Sequence, residues 1–133
     1  MVLYVDSSAL MKRYVAEHDS VVADSFLASD PVRATSRLTE VEVRRNLARV
    51  LNGADAVGAK RQFLEDLDAF ALVAIDAAIC NDSARIAEQT GCRSLDSIHI
   101  ASALRAGSQT TFLTFDVRQA NVARSMGLAV IGT

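Results

Sequence analysis

Stretches in which apolar residues recur at helical spacing alternate along the chain with four short, mostly apolar runs and with the mixed run V-R-A-T at residues 32–35, a weaker strand signal. Continuous apolar runs of this length are typical of strands that are buried on both faces of a sheet. We therefore predict strands at residues 2–5, 32–35, 70–75, 111–114 and 128–131. Strands that alternate with amphipathic helices predict an α/β fold with a mostly parallel central sheet.

Helices are predicted between these strands from capping residues, glycines and apolar spacing. The first begins after a cap at Ser7 or Ser8 and extends toward Glu17. Further helices are expected from 19 or 20 to 28, from 36 to 52, from 55 to 68, from 76 to 90, from 94 or 95 to 105, and from 116 to 125 or 126. Residues 29–31 are expected to end the second helix, and Gly53 is expected to end the third.

The composition indicates one folded domain over residues 1–133, because half of the residues are hydrophobic and only one is proline. No apolar run approaches the roughly 18 residues of a membrane-spanning helix. The first residues lack the basic region of a secretory signal, so we expect a cytoplasmic protein without a membrane segment. Cys80 and Cys92 lack metal-binding spacing and are expected to be reduced thiols in the core.

The net charge of −2 gives no overall attraction to nucleic acid. Residues 33–61 differ from this average, since they carry seven Lys or Arg residues against three acidic ones. Such a stretch is either a solvated helix face or a contact surface. Arg44, Arg45 and Arg49 within it are candidates to contact RNA phosphate, or alternatively to pair with acidic side chains.

Several acidic residues follow predicted strands or open predicted helices. Asp6 directly follows the first strand, Asp116 lies two residues past the fourth, and Asp96 opens a helix. A fourth acid, Glu42 or Glu40, lies in the first turns of the helix after the second strand. Each alone is explained by helix capping or by the helix dipole. Because functional groups collect past the carboxyl ends of parallel strands, the four together predict a shared acidic site.

Clustered carboxylates repel one another, and a divalent cation removes that conflict. Mg²⁺ and Mn²⁺ prefer oxygen ligands, so carboxylates without His or Cys ligands indicate these ions rather than zinc. Such a site suits the hydrolysis of phosphodiester bonds, because the cation polarises a phosphoryl oxygen and lowers the pKa of a bound water.

Four sequence blocks are similar, in the same order, to the motifs of the PIN-domain family, and especially of its VapC-type toxin ribonucleases. The blocks are V-D-S-S-A-L at 5–10 with Lys12 and Y-V-A-E at 14–17, S-R-L-T-E-V-E-V-R-R at 36–45, L-D-S-I-H-I-A-S-A at 95–103, and T-F-D at 114–116 with A-R-S-M-G-L-A-V at 123–130. The triplet D-S-S alone is not specific. Four ordered blocks that span nearly the whole chain are a specific signal.

This resemblance implies a three-layer α/β/α fold around the parallel sheet. It also implies an Mg²⁺- or Mn²⁺-dependent endoribonuclease in which Asp6, Glu42, Asp96 and Asp116 are the metal ligands and catalytic residues. The expected partners are an RNA substrate, a small VapB-type antitoxin protein that covers the site, and a second copy of the chain in a homodimer. An antitoxin would also offer acidic partners to the arginines of residues 33–61.

The choice of Glu42 over Glu40 rests on motif spacing. The family's glutamate usually lies six residues after the serine of its second motif, which is Ser36 here. At 100° per residue, Glu40 lies about 200° from Glu42 around a helix, so the two do not face the same cation well. A helical wheel groups Glu40 with apolar positions and Glu42 with a mixed face, and it does not decide between them.

Three further residues near these motifs have two interpretations each. His99 lies three residues after Asp96 on the same side of its helix. It is either a general base or, as we expect, a packed side chain that donates to a backbone carbonyl. Ser7 and Thr114 either hydrogen-bond to ligand carboxylates or a metal-bound water, or they only cap a helix and end a strand.

Other function classes share parts of this pattern. A phosphatase of the haloacid-dehalogenase kind would need a second Asp where Ser8 stands, and a receiver domain would need a Lys after a late strand, which is absent here. A non-catalytic PIN-like module that binds RNA or protein is the remaining alternative. The presence of all four acids argues against it.

Overall fold

A computed structural model describes residues 1–29 and 32–133 of the chain. Within them, the strands are β1 (Val2–Val5), β2 (Arg33–Ser36), β3 (Ala71–Val73), β4 (Thr110–Leu113) and β5 (Ala129–Ile131). The helices are α1 (Ser7–Met11), α2 (Ser20–Ser29), α3 (Arg37–Val50), α4 (Gly53–Leu67), α5 (Ala77–Thr90), α6 (Ser94–Arg105) and α7 (Val117–Ser125). Each predicted strand is present within one or two residues of its predicted ends, and the third is the one most shortened.

The strands form one parallel sheet in the order β3-β2-β1-β4-β5. The central strand, β1, pairs with β2 on one side and β4 on the other, with Val5 opposite Leu113 at its carboxyl end. Three of the four residues of β1 are buried, as expected for a strand covered on both faces. The predicted α/β fold with a parallel sheet is therefore confirmed.

Helices cover both faces of the sheet. Because successive side chains of a strand point to opposite faces, each strand contributes to two apolar cores. Leu3 and Val5 belong to one apolar core, and Tyr4 between them belongs to the other. The first core includes Leu10 of α1, Val43 and Leu47 of α3, and Phe63 and Leu67 of α4. The second includes Ile79 and Ile86 of α5, Ile100 of α6 and Ala123 of α7. This arrangement confirms the predicted three-layer α/β/α fold.

Some helix ends follow the sequence signals and others do not. Helix α5 begins and ends as predicted, with the Asp76 carboxylate capping Ile79 N at 2.9 Å and Gly91 in the left-handed region at φ 74°. The first helix is shorter than predicted and ends at Met11. After it the chain turns, and buried Lys12 pairs at 2.6 Å with both Glu17 and Asp19, which lie beyond the turn.

The prediction that Gly53 ends the third helix is wrong, because α3 ends at Val50 and Gly53 is the first residue of α4. Its positive φ of 52° marks the change of direction between the two helices. The predicted break at residues 29–31 involves Asp30 and Pro31, which lie outside the described residues.

The expectation of two core thiols is wrong for Cys80, which is exposed, whereas Cys92 is half-buried. Within the described ranges, no helix combines the length and apolarity that crossing a membrane requires.

Candidate active site

The strand order leaves a crevice beside β1 at the carboxyl edge of the sheet. From β1 the chain proceeds outward to β2 and β3, whereas β4 and β5 lie on the opposite side of β1. The connections after β1 and β4 therefore diverge, and ligands of open parallel sheets bind at such a point. Asp6 follows β1 and Thr114 follows β4, and the Thr114 hydroxyl donates a 2.5 Å hydrogen bond to Asp6 Oδ2 across this crevice.

Asp6 is buried and held by hydrogen bonds on both carboxylate oxygens. Its Oδ1 accepts from the Ser8 hydroxyl at 2.7 Å and from Ala9 N at 2.9 Å, so Asp6 itself caps α1. The prediction that Ser7 or Ser8 caps this helix is wrong, because the Asp6 carboxylate accepts the hydrogen bond from the free N–H of Ala9. Burial raises the pKa of Asp6, although the nearby His99 and the hydrogen bonds to the carboxylate counteract part of that rise.

Glu42 extends from the second turn of α3 toward the first residue of α1. Its Oε1 accepts a 2.5 Å hydrogen bond from the Ser7 hydroxyl and a 2.6 Å hydrogen bond from His99 Nε2. Burial alone would raise the pKa of Glu42, but the hydrogen bond and charge of His99, together with Ser7, hold it below its ordinary value. The carboxylate is thus kept ionised, bound to the hydroxyl of Ser7, which follows Asp6 in the chain.

Glu40 takes a different direction from the same helix. It pairs with Arg37 at 3.7 Å and with Arg44 at 3.1 Å on the solvent side of α3. Both of its partners lie one helical turn away on α3 itself, where such neighbours meet. Of the two candidate glutamates, Glu42 is the one that contacts residues of α1 and α6.

His99 does not donate to a backbone carbonyl, which corrects the expectation from the sequence. The buried ring lies between the Glu42 carboxylate and the Tyr4 hydroxyl, which is 2.7 Å from Nδ1. Because Nε2 faces a carboxylate acceptor, it carries a hydrogen and donates to Glu42. Tyr4 is fully buried and stacks on Phe112, so this end of the chain of hydrogen bonds is fixed in the core. No sequence signal pointed to Tyr4.

Asp96 and Asp116 lie at the amino-terminal ends of α6 and α7. Asp96 is in the first turn of α6 and is largely buried. Asp116 caps α7, with Oδ1 accepting from Arg118 N at 2.9 Å and Gln119 N at 3.2 Å. The Thr114 hydroxyl oxygen accepts from Asp116 N at 3.1 Å while its O–H binds Asp6. Thr114 therefore links the acids that follow β1 and β4.

Arg93 joins Asp96 to Asp116 and was missed at the sequence level. Its Nε donates to Asp96 Oδ2 at 2.9 Å, and one terminal nitrogen is 3.4 Å from Asp116 Oδ2. The guanidinium is also close enough for its charge to lower the pKa of Glu42. The three-residue spacing between Arg93 and Asp96 was a usable signal for the first contact. The second contact depends on how α6 and α7 pack, and sequence spacing carries no information about it.

The donor set of this site has the chemistry that a hard divalent cation requires. Four carboxylates lie at one edge of the sheet, and the nearby polar side chains are hydroxyls, whereas both nitrogens of His99 are engaged by Tyr4 and Glu42. In the described part of the chain, no three His, Cys, Asp or Glu side chains stand in an arrangement that could hold a metal ion. Hydrogen-bond donors of the protein, including Arg93, hold the carboxylates instead. The oxygen ligands therefore suit a divalent cation chemically, and their side chains would reorient to bind it.

The predicted basic residues of α3 lie on its exposed surface. Arg44 pairs with Glu40, and Arg45 donates to the Asn46 side chain at 3.2 Å. Arg45 and Arg49 lie three and seven residues after Glu42, which places them along the helix face that begins at this carboxylate. The acidic site is therefore continuous with a basic track along α3.

Comparisons with known proteins agree with this architecture. A model of the PIN domain family matches residues 3–125 of the chain. The chain is 35% identical over 130 residues to ribonuclease VapC46 of Mycobacterium tuberculosis, with 97% of this chain and 95% of that protein covered. Among solved structures, M. tuberculosis VapC20, a toxin that cleaves the sarcin–ricin loop, has a TM-score of 0.77 at 18% identity over 98% of each chain. A toxin–antitoxin complex from Klebsiella pneumoniae has a TM-score of 0.69 at 17% identity, covering 90% of this chain and 89% of the other.

The family match includes the first four strands of the sheet and the four predicted acids, and the relative is similar over almost its whole length. The resemblance inferred from the four sequence blocks is thereby confirmed. This chain belongs to the PIN domain family.

Proposed function

We propose that this chain, as one domain over residues 1–133, is the toxin ribonuclease of a VapBC-type toxin–antitoxin system and requires Mg²⁺ or Mn²⁺. The observation that carries the proposal is a network of contacts among the four predicted acids. Thr114 links Asp6 to Asp116, Arg93 links Asp116 to Asp96, and Glu42 binds Ser7, which follows Asp6 in the chain. The extensive similarity to a ribonuclease of this group supports it. We place its action in the cytoplasm, where RNA substrates are found.

Asp6, Glu42, Asp96 and Asp116 would hold the cation. When bound, such a cation polarises a phosphoryl oxygen and makes a water molecule more acidic. Asp6 is oriented for this role by Ser8 and Thr114, and the low pKa of Glu42 keeps its carboxylate available as an anionic ligand. Because no side chain here is a free imidazole or thiol nucleophile, the chemistry proposed is hydrolysis by water.

The partners follow from the same family. The solved relatives include a toxin–antitoxin complex, and we propose that a small antitoxin protein covers this site. We also propose a homodimer, which is the commonest symmetric assembly of soluble proteins. RNA would enter along Arg45 and Arg49, whose exposed charges lead away from Glu42 on α3.

A single cleavage experiment tests the function. The purified chain is incubated with a mixture of structured and single-stranded RNAs in EDTA, and then with Mg²⁺ or Mn²⁺ added in excess. Cleavage that is absent in EDTA and restored by either ion is the expected result. Tight RNA binding without cleavage under every ionic condition would favour the non-catalytic PIN-like module instead. The Asp82→Asn variant serves as a control, because Asp82 is a partly exposed acid on α5 that pairs with Arg85 of the same helix.

A further inference from the structure

Arg93 occupies a special position relative to the acidic site. It immediately precedes α6 and has extended backbone geometry, with φ −66° and ψ 152°. Its side chain makes no capping hydrogen bond to the helix, although the residue stands at the capping position. The guanidinium instead reaches two carboxylates that come from different helices. Helix capping therefore does not explain where this side chain lies.

The burial of the three side chains shows which of them faces solvent. The Arg93 side chain is 65% exposed, whereas Asp96 is 12% and Asp116 is 32% exposed. Arg93 thus lies on the solvent side of both acids, at the mouth of the site. The pair with Asp96 is part-buried and the pair with Asp116 is exposed. Because the guanidinium itself lies mostly in solvent, it can leave its partners at modest cost.

Arg93 and a divalent cation would use the same oxygens. Both of its contacts are to Oδ2 atoms, one on Asp96 and one on Asp116. A cation held by these carboxylates would repel the guanidinium and displace it from them. Since Arg93 is outside the acids, it would be released toward solvent, where the RNA backbone approaches. A guanidinium that fits a carboxylate also fits a phosphate, because both present paired oxygens to its planar donors.

We propose that Arg93 is an exchangeable counter-ion, which competes with the divalent cation for Asp96 and Asp116 and contacts an RNA phosphate once displaced. This inference rests on the proposed function of the site. It assigns two effects of opposite sign to one side chain. Removing Arg93 should strengthen cation binding and weaken RNA binding, whereas a side chain needed only for folding would weaken both.

The test compares wild type with Arg93→Ala and Arg93→Gln. Mn²⁺ affinity is measured by calorimetry without RNA. The affinity for a fluorescent single-stranded RNA is measured by anisotropy across a salt series with Ca²⁺, and a gel verifies that the oligonucleotide stays intact. Arg85→Ala is the matched control, because Arg85 pairs with Asp82 at the same three-residue spacing on the surface of α5. Thermal melting verifies that each variant is folded. If Arg93→Ala does not fold, Arg93→Gln provides the test.

Both Arg93 variants are expected to bind Mn²⁺ roughly two- to fivefold more tightly than wild type, the range set by losing a weak competing ion pair. The slope of log affinity against log salt for RNA is expected to fall by about 0.7, as for one lost phosphate contact on a single strand. Arg85→Ala should change neither quantity. Unchanged or weaker Mn²⁺ binding, or an unchanged RNA slope, in folded variants would overturn the role of Arg93. Wild type that binds no Mn²⁺ at all would instead overturn the proposed function.

Discussion

His99 Nε2 lies 2.6 Å from Oε1 of Glu42, although the two residues are 57 positions apart in the chain. The other side of the ring is fixed by the buried Tyr4 hydroxyl. Glu42 is carried by α3 and His99 by α6, so this contact sets the relative position of two helices at the edge of the site. We interpret His99 as a positioning residue, since outer hydrogen bonds of this kind orient the carboxylates that bind cations.

The first prediction concerns this contact. Replacing His99 by Leu removes the donor to Glu42, and RNA cleavage and Mn²⁺ affinity are each expected to fall about 10- to 100-fold. His99→Gln should recover much of the loss, because its amide nitrogen can reach the place of Nε2. Cleavage rates and calorimetric Mn²⁺ titrations of the two variants provide the measurement. Equal behaviour of Leu and Gln variants would show that the ring only fills space.

Glu42 and Glu40 are distinguished by a pair of conservative substitutions. Glu42→Gln keeps the shape of the side chain but removes the charge that Ser7 and His99 hold in the site, and cleavage should fall by orders of magnitude. Glu40→Gln removes only solvent-exposed contacts to Arg37 and Arg44, so its cleavage rate should stay close to that of wild type. Initial rates on one RNA substrate are sufficient to compare them. The reverse pattern would place Glu40 in the site and show the motif alignment to be wrong by two residues.

Asp6 should give the protein a pH-dependent stability. Burial raises the pKa of this carboxyl above its ordinary value of 3.8, so the folded state binds the proton more strongly than the unfolded state. The stabilisation this provides is complete below the unfolded pKa and is lost as the pH rises through the raised folded pKa. With EDTA present, the melting temperature of wild type should therefore fall relative to that of Asp6→Asn as the pH rises from the unfolded pKa to the folded pKa of Asp6.

The difference in melting temperature between wild type and Asp6→Asn, measured from pH 3 upward, reads this effect directly. At neutral pH the Asn variant should melt at or above the temperature of wild type. Asp82→Asn, which alters a partly exposed acid, should follow wild type throughout. A difference between wild type and Asp6→Asn that is constant with pH would contradict the role assigned to burial.

The basic track of α3 is tested by single alanine substitutions. If Arg45 or Arg49 contacts RNA phosphate, its removal should lower the slope of log affinity against log salt by about 0.7 for single-stranded RNA. The positions of cleavage should hardly change, because phosphate contacts do not read bases. Arg44→Ala is the internal comparison, since Arg44 already pairs with Glu40.

The alternative role of these arginines is to bind the antitoxin instead of RNA. Variants that bind RNA like wild type but escape neutralisation would assign the track to the protein partner. Unchanged RNA slopes for both Arg45→Ala and Arg49→Ala would remove α3 from the RNA path.

Much of the fold could be predicted from the sequence, because local signals set it. The apolar run before Asp6, the capping Asp76 and the terminal Gly91 each gave the right element or boundary. A glycine between two helical stretches can end the first helix or begin the second, and Gly53 begins α4, whereas α3 already ends at Val50. Local pattern alone does not distinguish these two roles.

The contacts within the site could be predicted only in part. The motif spacing selected Glu42, which the structure then brings to Ser7 and His99. The Tyr4 contact to His99 and the bridge from Arg93 to Asp116 depend on how β1, α6 and α7 pack together. Such contacts join residues distant in the chain, and no periodicity records them.

The most direct measurement of the central claim is RNA cleavage by Asp6→Asn and Asp96→Asn beside wild type and Asp82→Asn, at saturating Mg²⁺ or Mn²⁺. Each of the first two substitutions removes one carboxylate charge from the proposed cation site while conserving size. We expect wild type and Asp82→Asn to cleave at similar rates, and the two site variants to be inactive although their circular dichroism and melting show a folded protein. Full cleavage by either site variant, or undiminished cleavage by wild type in EDTA, would contradict a cation-dependent mechanism at these carboxylates.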